Sequence, residues 1–222
     1  MKVTLVSSSE PSKELVAQGI VNAQELVAYC ARVSNPANQT NTDTSEKLIR
    51  YLIKHRHWSP LEMVSACLEI ETTRDIARQI LRHRSFAFQE FSQRYADPTK
   101  DLDFIVRDAR LQDTKNRQNS IDSNDESLEA WWTAQQLAVV DLVKKTYAEA
   151  IERGIAKEQA RAVLPEGNTE SRLYMQGTLR SWLHYIELRS GPETQKEHRE
   201  VAQACARALE SIFPMASEFL VK

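Results

Sequence analysis

One stretch of the sequence, residues 128–153, holds a helical pattern with no Gly or Pro to interrupt it. Leu137, Val140, Tyr147 and Ile151 fall on the side expected to be buried, and Gly154 stands where a left-handed residue would close the helix. A chain of 222 residues that commits so much length to one helix is not an all-β protein. Around it, residues 2–8 alternate as a strand, and 11–32 read as a helix with Gly19 as its weak point. Ser34-Asn35-Pro36 stops that helix, and Thr44 or Ser45 caps another that runs to about residue 55. After the Ser59-Pro60 turn, 63–70 reads as a strand, and Thr72-Thr73 caps a helix over 74–84. Residues 85–95 show no period, 104–106 read as a short strand, and the polar run 112–127 as a mobile surface loop. A short helix ends at Leu164 before Pro165, Gly167-Asn168 turns the chain, and 172–175 reads as a strand. Helices over 179–189 and 193–213 complete it. The expected class is α/β or α+β, a mixed sheet of a few strands packed with long helices, in a single domain over residues 1–222.

Composition removes several functions. With 41% hydrophobic and 27% charged residues the chain is not disordered over its length. A net charge of -2 weighs against a general nucleic-acid binder. No apolar run reaches the roughly 18 residues needed to cross a bilayer, and residues 1–9 are too short for a secretory signal, so the expected location is the cytoplasm. Cys30, Cys67 and Cys205 have small or apolar neighbours and no CxxC spacing. They read as buried reduced thiols, with no cationic setting that would make one a nucleophile.

Chemistry concentrates in RDIARQILRHRSFAFQEFSQRY, residues 74–95. Ile76, Ala77, Ile80 and Leu81 give the apolar side of a helix, Gln79 and Arg82 share another face, and Arg82-His83-Arg84 stand at its end. The helix dipole accounts for one or two cations there. It does not account for Gln89, Glu90, Ser92, Gln93 and Arg94 interleaved with Phe86, Phe88, Phe91 and Tyr95. Guanidinium groups, hydroxyls and aromatic rings in one segment suit a planar anionic ligand such as a nucleotide. A second cluster, HRHWSP, carries His55 and His57 without the partners of a metal site. A third places Arg161 before VLP, with Arg180, His184 and Arg189 on the helix over 179–189. Arg180 and His184 face one way, and Arg189 shares its side with Trp182, Tyr185 and Ile186. No GxGxxG, GxxxxGK[ST] or HExxH occurs.

At RHRSFAFQEFSQRY the sequence resembles the flavin-dependent thymidylate synthases, whose signature is RHRxxSxxxxSxR. Arg82, His83, Arg84, Ser92 and Arg94 fit it, while Ala87 replaces the first serine and Gln89 stands where Asn is frequent. CARVS ending at Ser34, KHRHWSP, RxVLP from Arg161 and RxWxHxIxxR from Arg180 to Arg189 follow in the family's order. The polar stretch 112–127 falls outside these blocks and reads as an insertion. The resemblance implies conversion of dUMP to dTMP with methylenetetrahydrofolate as carbon donor and FAD, reduced by NADPH, as hydride source. It implies a homotetramer with sites shared between subunits, and neither nucleic acid nor membrane as partner. It implies that Gln79, Arg82, Glu90, Phe91, Ser92, Gln93, Arg94, Arg161 and Arg189 hold dUMP. FAD would meet Ser59, Arg82, His83, Arg84, Glu90, Leu179, Arg180 and His184, with Thr178 where the family has Asn and His57 beside flavin and folate. Arg189 would activate the uracil ring.

The chemistry agrees with those roles. Methylation needs a nucleophilic C5, and a fixed guanidinium that stabilises negative charge across N3 and O4 supplies one without a cysteine adduct. Arg94 and Arg161 offer forked donors to phosphate, and backbone amides near Ser92 would add a nest for its oxygens. Two other classes use the same residues differently. A single-strand nucleic-acid-binding module would stack bases on the phenylalanines beside RHR, and its binding would weaken steeply with salt. A purely structural oligomerisation protein would carry no flavin spectrum.

Overall fold

A computed structural model describes residues 1–221. The strands are β1 (Lys2–Ser8), β2 (Ser65–Thr73), β3 (Ala87–Glu90), β4 (Arg110–Gln112), β5 (Ser120–Asp122) and β6 (Glu170–Thr178). The helices are α1 (Lys13–Ala17), α2 (Ala23–Ala31), α3 (Ser45–Lys54), α4 (Arg74–Ile80), α5 (Pro98–Asp101), α6 (Glu126–Glu152), α7 (Lys157–Ala160), α8 (Leu179–Arg189) and α9 (Lys196–Leu209). The main sheet has the order β1-β2-β6-β3 and is antiparallel at every pairing, so the class is α+β. Among the described residues no helix is long and apolar enough to cross a membrane.

β2 and β6 form the centre of the sheet, paired in register from Ser65↔Thr178 to Thr73↔Glu170. Both alternate, and Ala66, Leu68, Ile70, Leu173 and Met175 point to one fully buried face. Trp182, Leu183 and Ile186 of α8, Val201, Ala202 and Cys205 of α9, and Ile76, Ala77 and Ile80 of α4 close over that face. Trp182 keeps its indole N–H satisfied in this core by donating to the Ala66 carbonyl at 3.0 Å. A second, smaller cluster of Val143, Tyr147, Ala160 and Leu164 binds α6 to the segment that follows it.

Several expectations are corrected. The helix over 11–32 is two helices, because Gly19 at φ 90° breaks it and Asn22 recaps α2 through its side chain. α4 ends at Ile80, not near residue 84, and the chain turns with His83 N–H on the Ile80 carbonyl. Residues 85–95, which have no period, contain β3, too short for alternation to show. The strand over 63–70 starts two residues early and stops three short of the end of β2 at Thr73, and that over 172–175 lies inside β6, because each of β2 and β6 completes the other's ladder. The pattern 193–213 narrows to Lys196–Leu209, and 104–106 supplies one bridge, Phe104 to Thr169. The polar run 112–127 is not a free loop. β4 and β5 form a hairpin, Asp113 accepts from the amides of Lys115 and Asn116, and α6 begins at Glu126. On α6, Val140 and Tyr147 are buried as expected and Ile151 is half-buried, but Leu137 faces outward.

Candidate active site

α8 starts with Thr178 as N-cap, its Oγ1 accepting from Ser181 N–H, and its period carries one face into the core. Leu179, Trp182, Tyr185 and Ile186 on that face are buried, so Arg189, one turn further, leaves the core half-buried at the helix end. There its Nε donates to His83 Nε2 at 3.0 Å. Among the described residues the two terminal nitrogens of Arg189 have no protein partner. The His83 ring stands edge-on to Tyr185 with centroids 4.9 Å apart. Burial, followed by the charges of Arg189 and His184, pushes its pKa down to about 4. His83 is therefore neutral at pH 7, with its proton on Nδ1 and a lone pair toward Arg189.

Gln79 of α4 lies beside this pair. Its Oε1 is 3.2 Å from His198 Nδ1, and its Nε2 donates to Gln195 Oε1 at 2.8 Å. His198 is wholly buried, its Nε2 3.1 Å from the Tyr185 hydroxyl, and burial first pushes its pKa down to about 3. Sequence reasoning missed His198 and Tyr185 as part of the site. One signal was available: His198 occupies the stripe of Val201, Ala202, Cys205 and Leu209, all buried on α9, where a polar residue must find partners.

The first turns of α8 line a cleft of about 450 Å³ with Arg180, Ser181, His184 and Glu187, opposite Trp58, Glu62 and Ser85. Arg180 pairs with Glu62 across it. Its donors and one aromatic wall match the expected FAD in chemistry, and the cleft would take part of that molecule. Leu179 contributes no side chain there, being in the core, and its N–H is spent on the Val64 carbonyl. Ser59 opens the short 3₁₀ turn Ser59–Glu62 at the cleft's edge. His55 and His57 serve the end of α3. Arg56 adopts φ 57°, its N–H reaches the Ile53 carbonyl and that of His57 the Leu52 carbonyl, which is a Schellman closure. It leaves His57 exposed.

Arg82 and Arg84 do not stand on α4 and do not share a face with Gln79. They lie in the turn between α4 and β3, exposed and without an ion pair among the described residues. The aromatic ring of Phe86 sets this turn, packing on Trp182 at 4.8 Å between centroids and over Gly177. A Cβ on Gly177 would come within 2.6 Å of Phe86 Cε1.

At the other end of β3, Glu90 accepts from Ser171 Oγ at 2.8 Å and pairs with Arg74 at 3.4 Å. Phe91 N–H donates to the Arg172 carbonyl, which holds the chain at the sheet edge. Arg94 pairs with Glu158 at 3.2 Å. Arg161 lines a cleft of about 310 Å³ together with Arg74, Arg78 and Gln93. Gln93 is only 4% exposed, yet its Nε2 has no partner. Glu158 and Glu166 line the same cleft, and Glu166 pairs with Arg78 at 2.9 Å. Of the three arginines, Arg161 alone has no carboxylate partner among the described residues, and it stands with the orphaned Gln93 amide as a donor open to an anion such as phosphate. The expected nest after Ser92 is absent, because Arg94 N–H goes to Ser92 Oγ and those of Tyr95 and Ala96 to the Ser92 carbonyl. Gln79, His83 and Arg189 thus form one group next to Arg180 and His184, while Glu90 to Arg94 and Arg161 form another beyond β3. The thiols are spectators: Cys30 and Cys67 are half-buried, Cys205 is buried, and desolvation raises all three pKa values.

Residues 14–215 match the family model described as thymidylate synthase complementing protein. A flavin-dependent thymidylate synthase of Synechocystis sp. is 48% identical over 221 residues, covering 99% of both chains. A protein of Paramecium bursaria Chlorella virus 1 named "Probable flavin-dependent thymidylate synthase" is 46% identical over 220 residues, again covering 99% of both. Among solved structures, the UMP/dUMP methylase PolB of Streptomyces cacaoi, bound with 5-Br dUMP, superposes with a TM-score of 0.80 at 25% identity, covering 98% of this chain and 93% of that one.

Proposed function

The chain belongs to the flavin-dependent thymidylate synthase family, and on that premise we propose that it methylates dUMP to dTMP, with methylenetetrahydrofolate giving the carbon and NADPH-reduced FAD the hydride. The observation that carries the reading is the state of Arg189. A neutral His83 holds its Nε and leaves the forked terminal nitrogens free. A guanidinium fixed in this way is a preorganised donor for charge that develops on N3 and O4 of uracil as C5 becomes nucleophilic. No cysteine replaces it, since each thiol is held protonated by burial.

The other residues take roles that their surroundings support. Arg94, Arg161 and Ser92, with Gln93, hold the phosphate where Gln93 Nε2 lacks a partner. Gln79, Arg82, Glu90 and Phe91 orient the nucleoside. Arg180, His184, Ser59, Arg82, His83, Arg84 and Glu90 hold FAD, with Thr178 and Leu179 fixing the start of α8 and His57 next to flavin and folate. The two groups of nucleotide residues lie at opposite ends of β3, so a subunit pair that brings one chain's Arg161 side to another's Arg189 side makes a complete site. A homotetramer provides such pairs, and α6 offers the surface for it: Trp131, Leu142 and Val139 are exposed on the face away from the chain's own core. Three free cysteines fit a reducing cytoplasm.

The test is Arg189→Lys, which keeps the charge but loses both the fork and the Nε bond to His83. dTMP formation at saturating dUMP is expected to fall about 10²-fold or more, the loss that follows removal of one preorganised donor. Flavin content and NADPH oxidation without dUMP are expected to persist. Near-normal turnover would reduce Arg189 to a surface residue.

A further inference from the structure

The geometry points to His198 as a positioning residue that, together with Gln195, holds the orientation in which the Gln79 amide faces the nucleotide. The inference rests on Gln79 contacting dUMP, as proposed above.

The direction of the hydrogen bonds follows from one end of a chain of five side chains. Glu197 is paired with Arg110, and its carboxylate only accepts. Gln195 must therefore turn its Nε2 toward Glu197 Oε2, 2.9 Å away, and its Oε1 toward Gln79. Gln79 must then donate with Nε2, at 2.8 Å, and present Oε1 to His198. An Oε1 at 3.2 Å from Nδ1 requires a proton on Nδ1. His198 is neutral in its buried setting, so Nε2 carries a lone pair, and the Tyr185 hydroxyl, 3.1 Å away, donates to it. Every member has one permitted orientation.

The consequence lies at Gln79, the one member whose side chain is both half-buried and assigned to the nucleotide. One amide hydrogen and one lone pair are spent inside the protein, and one of each remains for a ligand. Without His198 the Oε1 side loses its buried partner and only the bond to Gln195 still holds the amide, so the face Gln79 turns to the nucleotide is less firmly fixed. A flip would set its Oε1 against Gln195 Oε1 and would require the His198 proton to move from Nδ1 to Nε2 and the Tyr185 hydroxyl to turn. A buried imidazole between Gln79 and Tyr185 thus acts on substrate without touching it. Arg110 of β4 closes the far end, so the hairpin of β4 and β5 is tied to the same chain through Glu197.

The experiment uses the purified, flavin-bearing protein. It measures dUMP binding by calorimetry and dTMP formation against dUMP concentration for His198→Leu, His198→Asn, Gln79→Ala and the double variant His198→Leu/Gln79→Ala. His198→Leu is expected to raise the dUMP Kd and KM about 10-fold with kcat within about 3-fold, a loss of binding rather than of the transition state. His198→Asn, whose amide nitrogen stands near the position of Nδ1, is expected to recover most of the affinity. In the Gln79→Ala background His198→Leu is expected to change dUMP affinity no further. An equal loss in both backgrounds would make His198 a general packing residue and overturn the inference. So would unchanged dUMP affinity in His198→Leu while Gln79→Ala binds more weakly. If Leu at 198 prevents folding, His198→Asn decides, because affinity far below wild type in a folded Asn variant contradicts the proton assignment. Unchanged affinity in Gln79→Ala would remove the reading of Gln79 itself, and the inference with it.

Discussion

His83 and His198 are both held neutral by burial, with pKa values near 4 and 3, against about 6.5 in an unfolded chain. As pH falls below about 6.5 the unfolded state takes up two protons that the folded state refuses, so stability drops with falling pH. The His83 contribution to that drop ends near pH 4 and that of His198 near pH 3. Carboxylates titrate in the same window, so the informative quantity is a difference. The thermal midpoint of His198→Leu is expected to fall less between pH 7 and about 4 than that of wild type. Parallel curves would mean that His198 binds its proton equally in both states. The sequence made only part of this legible. Arg189 could be placed inward because Trp182, Tyr185 and Ile186 set the period of its helix. His198 could not be linked to Gln79, since 119 residues separate them and no local pattern records a pairing across α4 and α9.

Between α4 and β3 the chain spends six residues, and their path depends on Phe86 seating over Gly177 of β6. That glycine is needed for a close approach, not for an unusual backbone angle. Gly177→Ala places a methyl group in the Phe86 ring, and either the ring or the strand must move. We expect about 1–3 kcal/mol of destabilisation, as for other overpacked sites. We also expect lost flavin content, because Arg82, His83 and Arg84 ride on the same turn. A variant with wild-type denaturant midpoint and flavin content would show that Phe86 has room to yield. The family departures on β3 should behave in the opposite way. Ala87 and Gln89 are exposed on an edge strand that pairs only with β6. Ala87→Ser and Gln89→Asn are expected to leave dTMP turnover within about 3-fold, as surface changes outside special features do. A large gain would mark this chain as impaired at those two positions. β2 was legible because one face is buried along its length, and β1 because half-buried and exposed residues alternate over most of it. β3 was hidden because four residues give too few alternations, and the break in 11–32 turned on a single glycine that sequence patterning could mark only as weak.

α6 has two apolar faces and the described chain covers one. Gln136, Val140, Val143 and Tyr147 turn inward, whereas Trp131, Leu142 and Val139 turn out with Ala138 between them. A single apolar stripe on this helix would put Leu137 on the buried side, but α6 carries exposed apolar residues on another side as well, so periodicity alone does not decide which apolar residues turn inward. If the second face is where subunits meet, burying it stabilises the tetramer, and a charge placed there opposes assembly more than folding. Leu142→Glu is expected to shift light scattering from a tetramer toward smaller species while far-ultraviolet circular dichroism persists. Activity should fall with the tetramer, although Arg189, His83 and His198 lie in a different part of the chain and are untouched by the change. Raising protein concentration should restore both together, since association follows mass action. A Leu142→Glu protein that is monomeric yet fully active would show that one chain completes its own site, and the division of nucleotide contacts between the two ends of β3 would then have to be bridged within a single subunit.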